Sequence, residues 1–112
     1  MPSEPSNYPW KTPRAFPRFV IDIRLVIRGK HALTGRTKDI GEGGLGATIP
    51  GNIASGEIVE VEFQLPETKE PLRLKAEVRY CQGFQYGFKF LHPTDQQREL
   101  IRQSTRGLPL AP

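Results

Sequence analysis

Short runs of alternating apolar and polar residues, separated by turns, limit this chain to a small set of folds. In the clearest run, over residues 19–28, every second residue from Phe19 to Ile27 is apolar. A period of two is typical of a β-strand with one buried face. Eleven glycines and eleven prolines in 112 residues would interrupt a helical bundle at most points. The sequence therefore favours a turn-rich antiparallel β architecture.

The alternating runs and turn signals predict six strands. Gly29-Lys30-His31 and Pro50-Gly51 are turn sequences that bound two of them. We expect strands at residues 19–28, 32–39, 45–49, 59–65, 72–80 and 86–90. An antiparallel sheet of this size buries its apolar face and loses its exposed edges when it closes. The predicted fold class is therefore mainly β, with a six-stranded antiparallel β-barrel.

A C-terminal α-helix is expected after the barrel strands. Thr94, with Gln97 three residues later, has the pattern of a capping box, which begins a helix that reaches about Gln103. Leu100 and Ile101 are expected to face the barrel. The solvated side of the helix is expected to carry three arginines, Arg98, Arg102 and Arg106.

The length of the chain allows one domain with one core. We expect the barrel domain to occupy residues 14–106. Residues 1–13 are rich in proline and polar groups without periodicity, which predicts a flexible N-terminal arm that carries Tyr8 and Trp10. Residues 107–112 form the predicted C-terminal tail.

The positive charge is concentrated near the N-terminus. Residues 1–39 hold eight of the sixteen Lys and Arg residues but three of the twelve Asp and Glu residues, and the net charge of the chain is +4. A local positive surface attracts phosphates, nucleic acid or acidic membranes. The alternative is a basic surface that has no partner.

Several classes of function find no support in the sequence. Cys81 has no second cysteine for a disulfide, and His31 and His92 are too far apart to suggest a local metal site. The segment 41–46 matches G-x-G-x-x-G, but a short strand follows it where a dinucleotide site needs a helix. No catalytic constellation is evident, so we expect no enzyme activity and no metal. No signal peptide or membrane span is evident either, which predicts a cytoplasmic protein.

Two short motifs carry the chemistry of a binding site. Arg14 and Arg18 lie four residues apart at the entrance to the first strand, and Asp39, Gly41 and Gly44 follow at the end of the second. A guanidinium group binds phosphate oxygens or a guanine edge through two hydrogen bonds and also stacks on a purine. A carboxylate accepts hydrogen bonds from guanine nitrogens, and glycine lets the backbone approach a ligand. The motifs suit an anionic ligand with guanine-like donors.

With these motifs the chain resembles the PilZ family of bacterial cyclic di-GMP receptors over about residues 14–103. Arg14 and Arg18 match Arg-x-x-x-Arg, and Asp39 and Gly44 match the first and last positions of Asp/Asn-x-Ser-x-x-Gly. The late aromatic strand and the closing helix follow in the same order. The resemblance implies a six-stranded barrel, with the two arginines on phosphates and guanine and the second motif beside a guanine.

One position departs from the family motif, because Gly41 stands where the family has serine. If the ligand group that meets the hydroxyl is left unpaired, the loss is about 1–3 kcal/mol, or roughly ten- to a hundredfold in affinity. Replacing Gly41 by serine is therefore expected to tighten binding, unless Gly41 has a positive φ.

The resemblance gives the expected function, a signalling module that binds cyclic di-GMP without any cofactor. The ligand-binding residues are expected to be Arg14, Arg18, Asp39, Gly41 and Gly44. The N-terminal arm is expected to order over the ligand and to present a surface to an unidentified protein partner. Two alternatives stay open: an adaptor that binds a protein without nucleotide and, less favoured, a single-stranded nucleic-acid binder.

Overall fold

Seven strands and one helix make up the part of the chain that the computed structural model describes, residues 16–112. The elements in chain order are β1 (Arg18–Val20), β2 (Arg24–Arg28), β3 (Ala32–Gly41), β4 (Gly44–Thr48), β5 (Ile58–Phe63), β6 (Leu72–Gln82), β7 (Gln85–Phe90) and α1 (Asp95–Thr105).

Six of the strands close into a barrel. The hydrogen-bonded order is β3-β2-β5-β6-β7-β4, and β4 returns to pair with β3, all in antiparallel sense. The extra strand, β1, pairs with the C-terminal end of β3 and lies outside this closed ring. The predicted fold class, a six-stranded antiparallel barrel with a C-terminal helix, is confirmed.

The core fills the inside of the barrel with the apolar residues of each alternating run. Every second residue of β5 (Val59, Val61 and Phe63) is buried, and the outward residues of that strand are partly or fully exposed. Burying one such side chain contributes about 1.5–3 kcal/mol. The largest completely buried side chains come from all six barrel strands and include Leu25, Ile27, Ile40, Leu45, Phe63, Val78, Tyr86 and Phe88.

The helix α1 begins as its sequence predicts. The Thr94 hydroxyl accepts a hydrogen bond from the Gln97 amide at 3.0 Å, and the Gln97 side chain accepts one from the Thr94 amide at 2.9 Å. Ile101 is completely buried and Leu100 packs against the core, which confirms the side expected to face the barrel. The helix ends at Thr105, two residues later than expected.

The predicted strand over residues 19–28 is wrong at its centre, because residues 21–23 separate β1 from β2. The buried side chain of Thr37 fills this gap. Its hydroxyl donates to the Ile21 carbonyl at 2.6 Å and accepts from the Ile23 amide at 3.0 Å. Ile21 and Ile23 still pack against the core. Two backbone hydrogen bonds to β3 also remain, from the Ile21 amide to the Lys38 carbonyl at 3.2 Å and from the Thr37 amide to the Ile23 carbonyl at 2.9 Å. The apolar alternation therefore continues through a segment whose pairing with β3 is irregular.

After α1 the chain turns back toward β1. Gly107 has a φ of 85°, in the left-handed region that glycine adopts without steric penalty. The residues that follow reach the outer edge of β1, where Phe19 and Leu110 form an antiparallel bridge. The division into an arm (1–13), a barrel domain (14–106) and a tail (107–112) stays a prediction.

Replacing Thr37 by valine is expected to destabilise the fold by about 1–3 kcal/mol, because the Ile21 carbonyl and the Ile23 amide would be left without their buried partner. Thr34→Val is the matched control, since Thr34 is exposed on the same strand. Urea denaturation of both variants measures the difference. Equal free energies of unfolding would contradict a structural role for the Thr37 hydroxyl.

Candidate functional site

The site lies where β1 meets the turn between β3 and β4. Arg18 pairs with Gly41 across β1 and β3, and its guanidinium Nη1 lies 3.2 Å from the Asp39 carboxylate. A Cβ built on Gly44 would lie 2.9 Å from Arg18 Nη2, so the guanidinium group lies over this glycine. The structure thus brings together Arg18, Asp39, Gly41 and Gly44. Arg14 lies outside the described residues, and ligand binding by any of the five stays a prediction.

A β-bulge at Lys38 turns Asp39 outward. Thr37 pairs with Ala47 and Asp39 pairs with Gly46, so two steps along β3 correspond to one step along β4. Without the extra residue, Asp39 would point inward like Thr37. The outward carboxylate accepts hydrogen bonds from Arg18 Nη1 and from the Gly46 amide, both at 3.2 Å.

The Arg18–Asp39 ion pair is largely shielded from water. The Arg18 and Asp39 side chains are 14% and 17% exposed. At this burial, separating the two charges removes the attraction that offsets the cost of taking each of them out of water. A ligand that separates the pair must therefore provide a replacement partner for each charge.

Two of the predicted glycines are needed because backbone passes close to them. A Cβ on Gly41 would overlap the Pro17 carbonyl oxygen, and a Cβ on Gly44 would overlap the Phe88 carbonyl oxygen. Neither glycine has a positive φ. The expectation that serine at position 41 tightens binding stays untested, but this backbone disfavours it, since even the first side-chain carbon has no room beside Pro17 unless the backbone moves.

Sequence reasoning missed a row of residues that extends the site across the barrel wall. Asp39 is opposite Gly46, Gly46 is opposite Gly87, and Gly87 is opposite Tyr80. The Tyr80 ring lies directly on Gly87, where a Cβ would overlap it. The row forms a shallow surface with a carboxylate at one end and an aromatic ring at the other. The signal for it was the pair Gly44 and Gly46, two outward glycines on one short strand.

Arg102 of α1 holds the β3–β4 turn. Its Nε and Nη2 each donate to the Glu42 carboxylate at 3.0 Å, and Nη1 bonds to Glu99. The hydrogen bond to Glu42 is the main cause that raises the pKa of Arg102. Arg102 was expected on the solvated side of the helix; it is 54% exposed but bound to the turn between Gly41 and Gly44.

Neither a metal site nor a membrane-spanning helix is found within residues 16–112. No three or more His, Cys, Asp or Glu residues of this segment are grouped to hold a metal ion. Its helix is also too short and too polar to span a lipid bilayer.

Three solved structures share this fold at low sequence identity. The PilZ domain of CeSA from a cellulose-synthesizing bacterium is 21% identical with a TM-score of 0.63, over 80% of this chain and 95% of that one. The PilZ domain of YcgR from Escherichia coli, solved with c-di-GMP, is 14% identical with a TM-score of 0.70, over 85% and 90%. The inhibitor of motility MotI/DgrA from Bacillus subtilis is 17% identical with a TM-score of 0.71, over 85% of this chain and 51% of that one.

Membership is decided by the family model of the PilZ domain, which matches residues 11–107. The chain belongs to the PilZ domain family. Among curated proteins no match is found. The PilZ match spans both motifs, from Arg14 to Gly44, and reaches past the end of α1. The resemblance seen in the sequence is confirmed for this PilZ domain.

Replacing Gly44 by alanine is expected to destabilise the PilZ domain by about 1–3 kcal/mol, because the new methyl group overlaps backbone and pushes against Arg18. Gly43→Ala is the control, since its Cβ would meet only the Phe16 side chain, at 3.3 Å. Thermal or urea denaturation compares the two variants. An unfolding free energy for Gly44→Ala equal to that for Gly43→Ala would contradict the close approach.

Proposed function

We propose that this PilZ domain is a non-enzymatic receptor for cyclic di-GMP, and that Arg18, Asp39, Gly41 and Gly44 form part of the binding site. The observation that supports this most directly is the shielded Arg18–Asp39 pair beside an outward row of glycines. Family membership and the YcgR domain solved with c-di-GMP support the same ligand.

The chemistry of the ion pair selects for a ligand with two kinds of group. A simple anion would satisfy Arg18 but would stand next to the Asp39 carboxylate, where like charges repel. A nucleotide with guanine bases satisfies both, since phosphate oxygens accept from the guanidinium group and guanine N–H groups donate to the carboxylate. Cyclic di-GMP carries two phosphates and two guanines, so it provides partners for both charges at once.

The glycine row lets the Asp39 carboxylate and the Tyr80 ring lie close to the barrel wall. A Cβ on Gly46 would lie 3.2 Å from Asp39 Oδ1, and a Cβ on Gly87 would overlap the Tyr80 ring. Because glycine has no side chain, both groups can lie against the backbone of the sheet. A guanine whose edge bonds to Asp39 would lie beside the Tyr80 ring.

The proposal also gives roles to the N-terminal arm, which covers the nucleotide, and to a protein partner, which recognises the bound form. Arg14 supplies a second guanidinium group for the phosphates, and residues 1–13 close over the nucleotide. Because binding changes what the surface presents, a separate protein or a second copy of the chain reads the signal. The receptor acts in the cytoplasm, where its ligand is expected.

The substitution of the motif serine by Gly41 favours one alternative, an adaptor that binds a protein partner and has lost the nucleotide. Titration with cyclic di-GMP separates the two, because the adaptor gives no binding heat. Salt-dependent binding to an oligonucleotide without guanine would instead support the single-stranded nucleic-acid alternative.

Alanine in place of Arg18 or of Arg14 is expected to weaken cyclic di-GMP binding about ten- to a hundredfold, since a hydrogen bond to a charged group contributes about 1.5–3 kcal/mol. Arg24→Ala is the control, because Arg24 is an exposed arginine on the neighbouring strand β2. Isothermal calorimetry measures all three variants against the wild type. Wild-type affinity in both motif variants would remove the assigned site.

Serine in place of Gly41 is expected to weaken cyclic di-GMP binding by at least about fivefold, because its Cβ forces the backbone at Pro17 away from β3 and moves Arg18. Gly43→Ser is the matched control within the same turn. Isothermal calorimetry shows whether the affinity of Gly41→Ser for cyclic di-GMP falls or rises. Tighter binding by the Gly41 variant would show that Pro17 yields easily and that the family hydroxyl contact is recovered.

A further inference from the structure

The chain after α1 adds a short strand to β1. The Val20 amide donates to the Pro109 carbonyl at 2.8 Å, and the Ala111 amide donates to the Arg18 carbonyl at 2.9 Å. Phe19 and Leu110 face each other between these two bonds. The backbone of residues 109–111 therefore lies directly against the strand that carries Arg18.

The pairing with residues 109–111 is important for the position of β1, because β1 makes few other backbone hydrogen bonds. The strand has three residues, lies outside the closed ring of the barrel, and pairs with only one named strand, β3. The polar groups of successive strand residues point to opposite edges. The Arg18 carbonyl and the Val20 amide point away from β3 and have their partners in residues 109–111. The position of the Arg18 backbone is thus set by β3 on one side and by the C-terminal segment on the other.

We propose that residues 108–111 are a positioning strand for Arg18, which they hold over Gly44 and beside Asp39 so that it can meet a cyclic di-GMP phosphate. The inference rests on the proposed function. It adds that ligand affinity depends on a segment that touches no ligand. Because coupling is reciprocal, ligand binding also strengthens the pairing of this segment with β1.

The path of the chain fits this role. The Leu108 amide bonds to the Thr105 carbonyl at 3.1 Å, so the segment leaves α1 in a defined direction. The same helix holds the β3–β4 turn through Arg102 and Glu42. Both β1 and the β3–β4 turn are therefore hydrogen-bonded to the C-terminal part of the chain, β1 to residues 109–111 and the turn to Arg102.

Ala111→Pro tests the proposal by removing one hydrogen-bond donor, because proline has no amide hydrogen for the Arg18 carbonyl. Ala111→Ser keeps the donor and is the control. We expect Ala111→Pro to bind cyclic di-GMP about three- to tenfold more weakly than wild type, the range given by one backbone hydrogen bond, and Ala111→Ser to bind like wild type. Calorimetry is done at a temperature where circular dichroism shows all three proteins folded. A purely structural role would lower the melting temperature but leave the affinity of the folded protein unchanged.

Hydrogen exchange of the wild-type protein gives a second readout that needs no variant. Cyclic di-GMP is expected to slow exchange at the Val20 and Ala111 amides by a larger factor than at the Gly56 amide, which bonds to the Val78 carbonyl outside β1 and the C-terminal segment. If Ala111→Pro does not fold, this comparison decides.

The outcomes separate the two proposals. Equal affinities of Ala111→Pro and Ala111→Ser, or equal slowing at all three amides, with clear binding by the wild type, would overturn the positioning role and leave the receptor function intact. Absence of binding by the wild type would overturn the receptor function itself.

Discussion

The buried hydroxyl of Thr37 stabilises the point where the chain passes from β1 to β2. It fills the gap between β1 and β2 and bonds to both sides of that gap, at the Ile21 carbonyl and the Ile23 amide. Buried backbone groups without partners are costly, and in this irregular stretch the hydroxyl bonds to two groups that the β3 backbone does not reach. On the N-terminal side of the gap, β1 pairs with β3 between Asp39 and Gly41. The neighbouring bulge at Lys38 turns Asp39 to the outer surface, where Arg18 meets it.

The candidate site combines residues of the closed barrel with one residue from a strand outside it. Asp39 and the glycine row belong to the hydrogen-bonded wall of the barrel, whereas Arg18 belongs to a strand outside the ring. The charges of Arg18 and Asp39 form an ion pair in this structure. The ion pair holds the Arg18 side chain in a largely buried position. A ligand that binds between Arg18 and Asp39 must provide a new partner for each of them.

The fold was largely predictable from the sequence because burial follows the alternation of apolar residues. The barrel, its helix and the Thr94 capping box were all expected from local patterns. The break at residues 21–23 was not, since Ile21 and Ile23 keep the apolar period and the interruption depends on Thr37, fourteen or more residues away. The motif residues, whose ligand-binding role stays a prediction, were also proposed from the sequence, but the close packing around Gly41 and Gly44 was not. Whether serine fits at position 41 depends on the Pro17 carbonyl, and the bond between Arg102 and Glu42 joins residues sixty positions apart.

The barrel closes without β1, and that separation has an evolutionary consequence. Neither β1 nor residues 108–111 belong to the ring of six strands or supply side chains to its packed interior. Under the proposed function, mutation at these positions can therefore change the affinity for cyclic di-GMP without changing the side chains that fill the barrel.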